Sequence, residues 1–208
     1  MPSAAEYEPK PLPFSTELVG LSKKTMEIHH DKLYVGYVNK MKEIAAKLKA
    51  ISADPERLNG ANQTYSELRA LKSGETFATN GVYLHEHYFN VLGGTGVPTG
   101  PLADAIKEKW GSMETFVGFF SATGMAMRGW VVLAFDTRLG RLKIYGADAH
   151  HQGGVWGCIP IIVLDVYEHA YFIDYGADRK AYIADFWKNL DWKNANRLYE
   201  QAHQIILN

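Results

Sequence analysis

The sequence predicts an α+β protein: a long N-terminal helical hairpin, then a C-terminal α/β domain with a three-stranded antiparallel sheet. Three observations predict it. Apolar residues recur every three or four positions through two long N-terminal stretches, the period of an amphipathic helix. A glycine- and proline-rich segment, "GGTGVPTGP", then breaks the pattern at residues 93–101. Past it lie three short runs, "GWVVLAFD", "RLKIYGA" and "IPIIVLD", which read as strands. The domains are accordingly expected at 1–95 and 96–208, with the functional site between them.

Residues 1–20 are rich in proline and polar groups and read as an extended arm. Ser22 can cap a helix in which Met26, His29, Leu33, Tyr37, Met41, Ile44 and Leu48 share one face. "SADPERLNG" ends it. A second helical region runs from about Thr64 to Leu92, with a possible interruption at "SGET", and two long helices across a polar loop make a hairpin. Shorter helices follow at about 101–110 and 113–125. "DTRLG" is short enough to join the first two strands as a hairpin, and helices at about 178–189 and 192–206 close the chain.

Composition narrows the function. With 208 residues the chain can bury a core without covalent staples. Its single cysteine, Cys158, can form no internal disulfide and reads as a small buried hydrophobe. A formal net charge of −1 gives no electrostatic footprint for nucleic acid or an anionic membrane. No run of apolar residues is long enough to span a bilayer, and "MPSAAEYEPKPLPFS" lacks the apolar stretch of a signal peptide. The expected location is the cytoplasm.

Eight histidines carry the chemistry, six of them in three close pairs. His29 lies on the apolar face of the first helix and His85 on the second, so a hairpin can turn both into one seam. Asp165 ends the third strand, and His169 follows four residues later. Three imidazoles and a carboxylate suit a first-row transition ion, and the absence of thiolates argues against a cysteine-rich zinc site. Spacing alone leaves other readings open. A histidine on an apolar face is more often a hydrogen-bonded core residue, and Asp165 could cap the following helix.

"DVYEHAYFIDY", residues 165–175, resembles the D-x-W-E-H-A-Y signature of the iron/manganese superoxide dismutases. Other segments are similar to that family in the same order: "KPLPF", "TMEIHHDKLYVGYV", "HEHYFNVL", "RGWVVLAFD" and "DRKAYIADFWKNLDW". The resemblance covers nearly the whole chain. It implies conversion of superoxide to O2 and H2O2 by alternating reduction and oxidation of one Fe or Mn ion per subunit. It implies His29, His85, Asp165 and His169 as ligands, with His85 preferred over His87 because the following aromatic residues then keep the family's offsets. Tyr37 matches the tyrosine at the site's entrance, and Trp130 an aromatic wall. Glu168 matches a glutamate that reaches the ligand histidine of the other subunit, which implies a homodimer, or dimers paired into a tetramer. Arg179 resembles an interface arginine that attracts the anion, and Lys32 could add to that field.

The sequence also departs from the family. A histidine usual at the entrance is Leu33, and the tyrosine that bonds it from the other subunit is Phe172, so both ends of one polar contact are apolar. The two are expected to meet across the dimer interface. Where iron types carry a glutamine four places before the second ligand, this chain has Gly81. His150 stands where manganese types carry a glutamine, with His151 and Gln152 close behind. His150 is therefore expected to donate to metal-bound solvent, with His151 next in line, and the ion is expected to be iron, with manganese also accepted. Tyr167 and Val132 replace two tryptophans. The alternatives are a metal-binding paralogue that has weak or no dismutase activity, and other oxygen chemistry at the same ligands, for which no second-substrate pocket is foreseen.

Overall fold

The structure, a computed structural model, describes residues 7–205. Its arm runs without helix up to Ser22, whose hydroxyl accepts the Thr25 N–H and starts the first helix. That helix has three parts: α1 (Lys23–Glu27), a π-helical turn (Ile28–Tyr34) and α2 (Val35–Ser52). In the π turn the Val35 N–H reaches back five residues to the His30 carbonyl. The sequence reading foresaw one regular helix here. Apolar spacing of three and four does not distinguish α from π, because both keep the same face inward.

The interhelical loop holds a short helix that was not foreseen, α3 (Pro55–Asn59). Asp54 accepts the N–H groups of Glu56 and Arg57, and Pro55 occupies the first turn, where its missing N–H costs nothing. Helix α4 (Glu67–Asn90) starts at Ser66, which accepts the Arg69 N–H, and runs without a break through "SGET". Val38, Met41 and Ile44 of α2 and Ala78 and Val82 of α4 are buried in the common core, completing the hairpin.

The glycine-rich segment is stitched to the C-terminal helices. Gly94 N–H donates to the Asn189 carbonyl, Gly96 N–H to Leu190, and Asp191 N–H to Val91. A Cβ on Gly94 would overlap the backbone of Leu190 and Asp191, so this crossing requires glycine. Helices α5 (Gly100–Trp110) and α6 (Met113–Ala126) lead into the sheet. Strands β1 (Trp130–Asp136), β2 (Arg141–Ala147) and β3 (Cys158–Asp165) pair antiparallel in the order β2-β1-β3. The β1–β3 register slips at Leu133/Ala134, opposite Pro160, which has no N–H to offer the ladder. Trp130 and Asp165 end up directly opposite each other. After a 3-10 turn (Glu168–Ala170), α7 (Phe172–Tyr175), α8 (Arg179–Lys188) and α9 (Trp192–His203) close the fold.

Asn189 ties the arm to this frame. Its Oδ1 accepts the Val19 N–H at 2.7 Å, and its Nδ2 donates to the carbonyls of Val19 at 2.9 Å and Asp185 at 2.8 Å. The side chain is buried, so Asn189→Ala strips several partners at once. It is expected to cost about 2–3 kcal/mol. Thermal unfolding should read this as a drop of about 5–10 °C in Tm. A drop below about 1 °C would show that the arm is held elsewhere.

Candidate metal centre

Four structural elements bring four side chains together. His29 projects from the π turn, His85 from the last two turns of α4, Asp165 from the end of β3, and His169 from the 3-10 turn that follows. One ligand atom from each lies within 4.8 Å of all the others. The Nε2 atoms of His29 and His169 stand 3.1 Å from Asp165 Oδ2, and that of His85 stands 3.6 Å away. His29, His85 and Asp165 are fully buried. His87, the alternative to His85, lies outside the cluster.

Tautomers test whether this set fits a cation. His85 Nδ1 donates its proton to the Gly81 carbonyl at 2.5 Å. Its Nε2 is therefore a bare lone pair, and it is buried without a hydrogen-bond partner. That lone pair faces a carboxylate oxygen across 3.6 Å. Two acceptors opposed in a dry pocket repel, and a positive ion between them removes the penalty. The donor set of three imidazoles and one carboxylate suits iron or manganese.

The electrostatics agree. Burial drives the pKa of His29 down and that of His85 well below the ordinary imidazole value, so both rings are neutral. Burial alone would raise Asp165, but the charge of His169 and the hydrogen bonds from His169 and His29 outweigh it and hold the carboxyl well below its usual range. Asp165 Oδ1 also accepts the Tyr167 N–H at 2.9 Å, which fixes the carboxylate's rotation.

A second set of groups surrounds the four. Trp130 is buried with its ring edge-on to His85, centroids 5.0 Å apart. Its indole N–H, which can only donate, is 2.9 Å from His150 Nδ1. His150 must accept there, so its single proton sits on Nε2, which is 2.8 Å from the Tyr37 hydroxyl. His150 points into the site and is buried, while His151 is exposed. Burial lowers the pKa of His150 to about 4. Tyr37 lies against Gly81, where an added Cβ would come within 2.9 Å of the phenol ring. Gly81 thus serves the site twice, through its carbonyl and through its missing side chain. The sequence reading valued the absent glutamine but had no signal for the carbonyl.

The remaining expected residues lie around this core. Arg179 donates to the Tyr171 hydroxyl at 3.1 Å and to the Met127 carbonyl at 2.7 Å, fastening the end of α6. Glu168 and Phe172 are exposed, and Leu33 is half-buried. Leu33, Lys32, Lys40, Tyr37, Phe77 and His151 help line a cleft of 580 Å³. The cleft arises where Gly36 and Gly74 leave the space between α2 and α4 without side chains. Among the described residues, no helix is long and apolar enough to cross a membrane.

Known proteins match this chain across both halves. Residues 6–93 match the family described as iron/manganese superoxide dismutases, alpha-hairpin domain, and residues 98–198 match the C-terminal domain of the same family. A "Superoxide dismutase [Fe]" of Aquifex pyrophilus is 43% identical over 200 residues, covering 95% of this chain and 92% of that protein. A "Superoxide dismutase [Fe]" of Cupriavidus metallidurans is 38% identical, covering 94% and 98%. A "Superoxide dismutase [Mn] 1" of Halobacterium salinarum is 31% identical, covering 95% and 97%. With both domains matched and this identity sustained along the chain, the protein belongs to the iron/manganese superoxide dismutase family.

Proposed function

We propose that His29, His85, Asp165 and His169 hold the single Fe or Mn ion with which this superoxide dismutase works. The observation that carries the reading is the bare, buried Nε2 of His85 opposite the Asp165 carboxylate. Iron is the favoured ion, in line with the iron enzymes among its relatives at 38–43% identity. The bound ion supplies reversible one-electron exchange, so that two superoxide ions and two protons become O2 and H2O2.

The chain's own residues supply attraction, position and protons. Lys32 and Lys40 at the cleft draw a small anion toward its floor. Tyr37 stands at that floor. Burial, and then the Asp165 charge, raise its pKa, so the phenol keeps its proton at neutral pH. Because His150 Nε2–H donates to the Tyr37 oxygen, the phenol proton is free to point toward an incoming anion. Trp130 keeps His150 in that tautomer and closes one wall against water. Arg179 adds a fixed positive charge beside the C-terminal end of α6.

The protein works as a homodimer in this reading, with the cytoplasm as its location. Glu168 is exposed although its neighbour His169 is a ligand, which fits a carboxylate that bonds the partner's copy of that histidine. Leu33 and Phe172 meet across the same interface as an apolar pair, and two such dimers can pair into a tetramer.

Three measurements check this. Metal-free protein reloaded with iron or manganese should bind one ion per chain and dismute superoxide, and His85→Ala should lower both by at least about 100-fold. Stoichiometric binding without dismutation would reassign the chain to holding metal. In an NMR titration His150 should stay neutral down to about pH 4. Because an unfolded histidine takes its proton near ~6.5, stability held by the neutral ring is full above that pH and is lost as pH falls toward the folded value. A midpoint near ~6.5 would show that the ring is neither buried nor locked. Sedimentation should find wild type as a dimer or larger and Glu168→Ala shifted toward monomer; an unchanged mass would remove the cross-subunit contact.

A further inference from the structure

Four tyrosines run from the proposed ligands toward the surface, and none of them lines the cleft. The Tyr88 ring lies 5.3 Å, centroid to centroid, from the ligand ring of His29. Its hydroxyl is 3.1 Å from that of Tyr182, which donates onward to the Asp165 carbonyl at 2.7 Å. Tyr182 stacks on Tyr171 at 5.0 Å and meets Tyr175 at 5.8 Å. Tyr88, Tyr182 and Tyr171 are buried, and Tyr175 is half-buried.

We propose that this chain of phenols conducts oxidising equivalents from the metal site to Tyr175, giving the enzyme a second activity: peroxidation of small one-electron donors, such as a phenol or an enediol, at a surface remote from the superoxide cleft. The proposal rests on His29 being a ligand.

The surroundings of each hydroxyl decide where the equivalent comes to rest. A tyrosine loses an electron readily only if its phenol proton can leave at the same time. The hydroxyls of Tyr88 and Tyr182 have only each other and a main-chain carbonyl as hydrogen-bond partners among the described residues, and neither is a useful base. Tyr171 accepts a hydrogen bond from Arg179, whose guanidinium carbon lies 5.7 Å from its ring, and a nearby cation disfavours loss of an electron. Tyr175 alone donates to a carboxylate, Asp185 Oδ2, at 2.8 Å. The other oxygen of Asp185 holds Lys188 at 2.7 Å, leaving Oδ2 to receive the proton. Gly20 makes the pairing possible, since a Cβ there would overlap the Tyr175 hydroxyl.

The balance closes with the product of the known reaction as oxidant. H2O2 takes two electrons and two protons to become two waters. Each electron leaves Tyr175 through Tyr182 and Tyr88, while its phenol proton passes to Asp185 and on to solvent. Each tyrosyl radical is then restored by one hydrogen atom from the external donor, so two donors are oxidised per H2O2. Without a donor the radical stays at Tyr175, away from Trp130 and Tyr167, which pack against His85 and His169.

The test uses iron-loaded enzyme treated with H2O2 and a nitroso spin trap, with adducts located by peptide mass spectrometry. Wild type should carry the adduct on Tyr175. Tyr175→Phe should remove it, move oxidation to Trp130 and Tyr167, and speed inactivation by H2O2. Peroxidation of ascorbate should fall about tenfold in Tyr175→Phe, equivalent to ~59 mV on a one-electron step, with superoxide dismutation unchanged. Asp185→Asn, which keeps the phenol but loses the base, should slow peroxidation as well. Adducts confined to Trp130 or Tyr167 in wild type, or equal peroxidation in Tyr175→Phe, would overturn the proposal. A protein that fails to bind metal or to dismute superoxide would instead overturn the ligand assignment.

Discussion

The pairing of β1 with β3 is the constraint on which the site depends. It sets Trp130 opposite Asp165 at the end of the ladder. On the other side of β1, Trp130 faces Ala147 of β2, three residues before His150. One row across the sheet therefore places a carboxylate, an indole and the start of the loop carrying an imidazole. A slip of one residue would turn Asp165 away from the helices and Trp130 off the pocket wall, because side chains alternate faces along a strand. The bulge opposite Pro160 absorbs an irregularity one turn of pleat away and leaves the final pairs in register.

The helical hairpin brings the other half of the set to that row, and here the π turn matters. His29 and Tyr37 are eight residues apart, about 2.2 turns of a regular α-helix. A turn closed from i to i+5 holds more residues, so the same eight fall nearer to two whole turns. His29 and the Tyr37 phenol then address one site from one side of the helix. Such wide turns distort the hydrogen-bond ladder locally, and the surrounding packing holds this one in place: His29 is buried, and its neighbour His30 bonds the Lys10 carbonyl of the arm at 2.8 Å.

What could be read in the sequence was whatever repeats or alternates. The hairpin, the three strands and the closing helices follow from apolar periodicity, because burying one face is what those elements do. His29 and Asp165 were legible as members of buried faces; His85 falls on the stripe of Ala78, Val82, Tyr88 and Phe89, while His87, two residues on, lies off it. The π turn and the Gly81 carbonyl were invisible for one shared reason: each turns on a backbone carbonyl, and a backbone group has the same chemistry at every position. The Asp54 cap that starts α3 uses a side chain, and the Asp54–Pro55 step carried a signal for it that went unused. The Trp130–His150 bond was hidden differently: it joins residues 20 apart whose contact exists only once β1 and β2 have paired.

His150 shows how one substitution sets the properties of the whole pocket. A side-chain amide has two N–H groups and can serve a phenol and a solvent molecule together. A neutral imidazole has one, and with Nδ1 occupied by the Trp130 indole that proton lies between Nε2 and Tyr37. Any donation to solvent at the ion then competes with the bond to Tyr37. Hydrogen bonds to bound solvent tune a metal's redox potential and its affinity for protons, so the single N–H makes metal choice and the phenol's orientation parts of one equilibrium. Protonating the ring would place the added hydrogen on Nδ1, against the Trp130 N–H, and supply no second donor toward Tyr37 or solvent; burial opposes it as well. In the proposed reading, one hydrogen atom on His150 links the electron chemistry of the site to its proton chemistry.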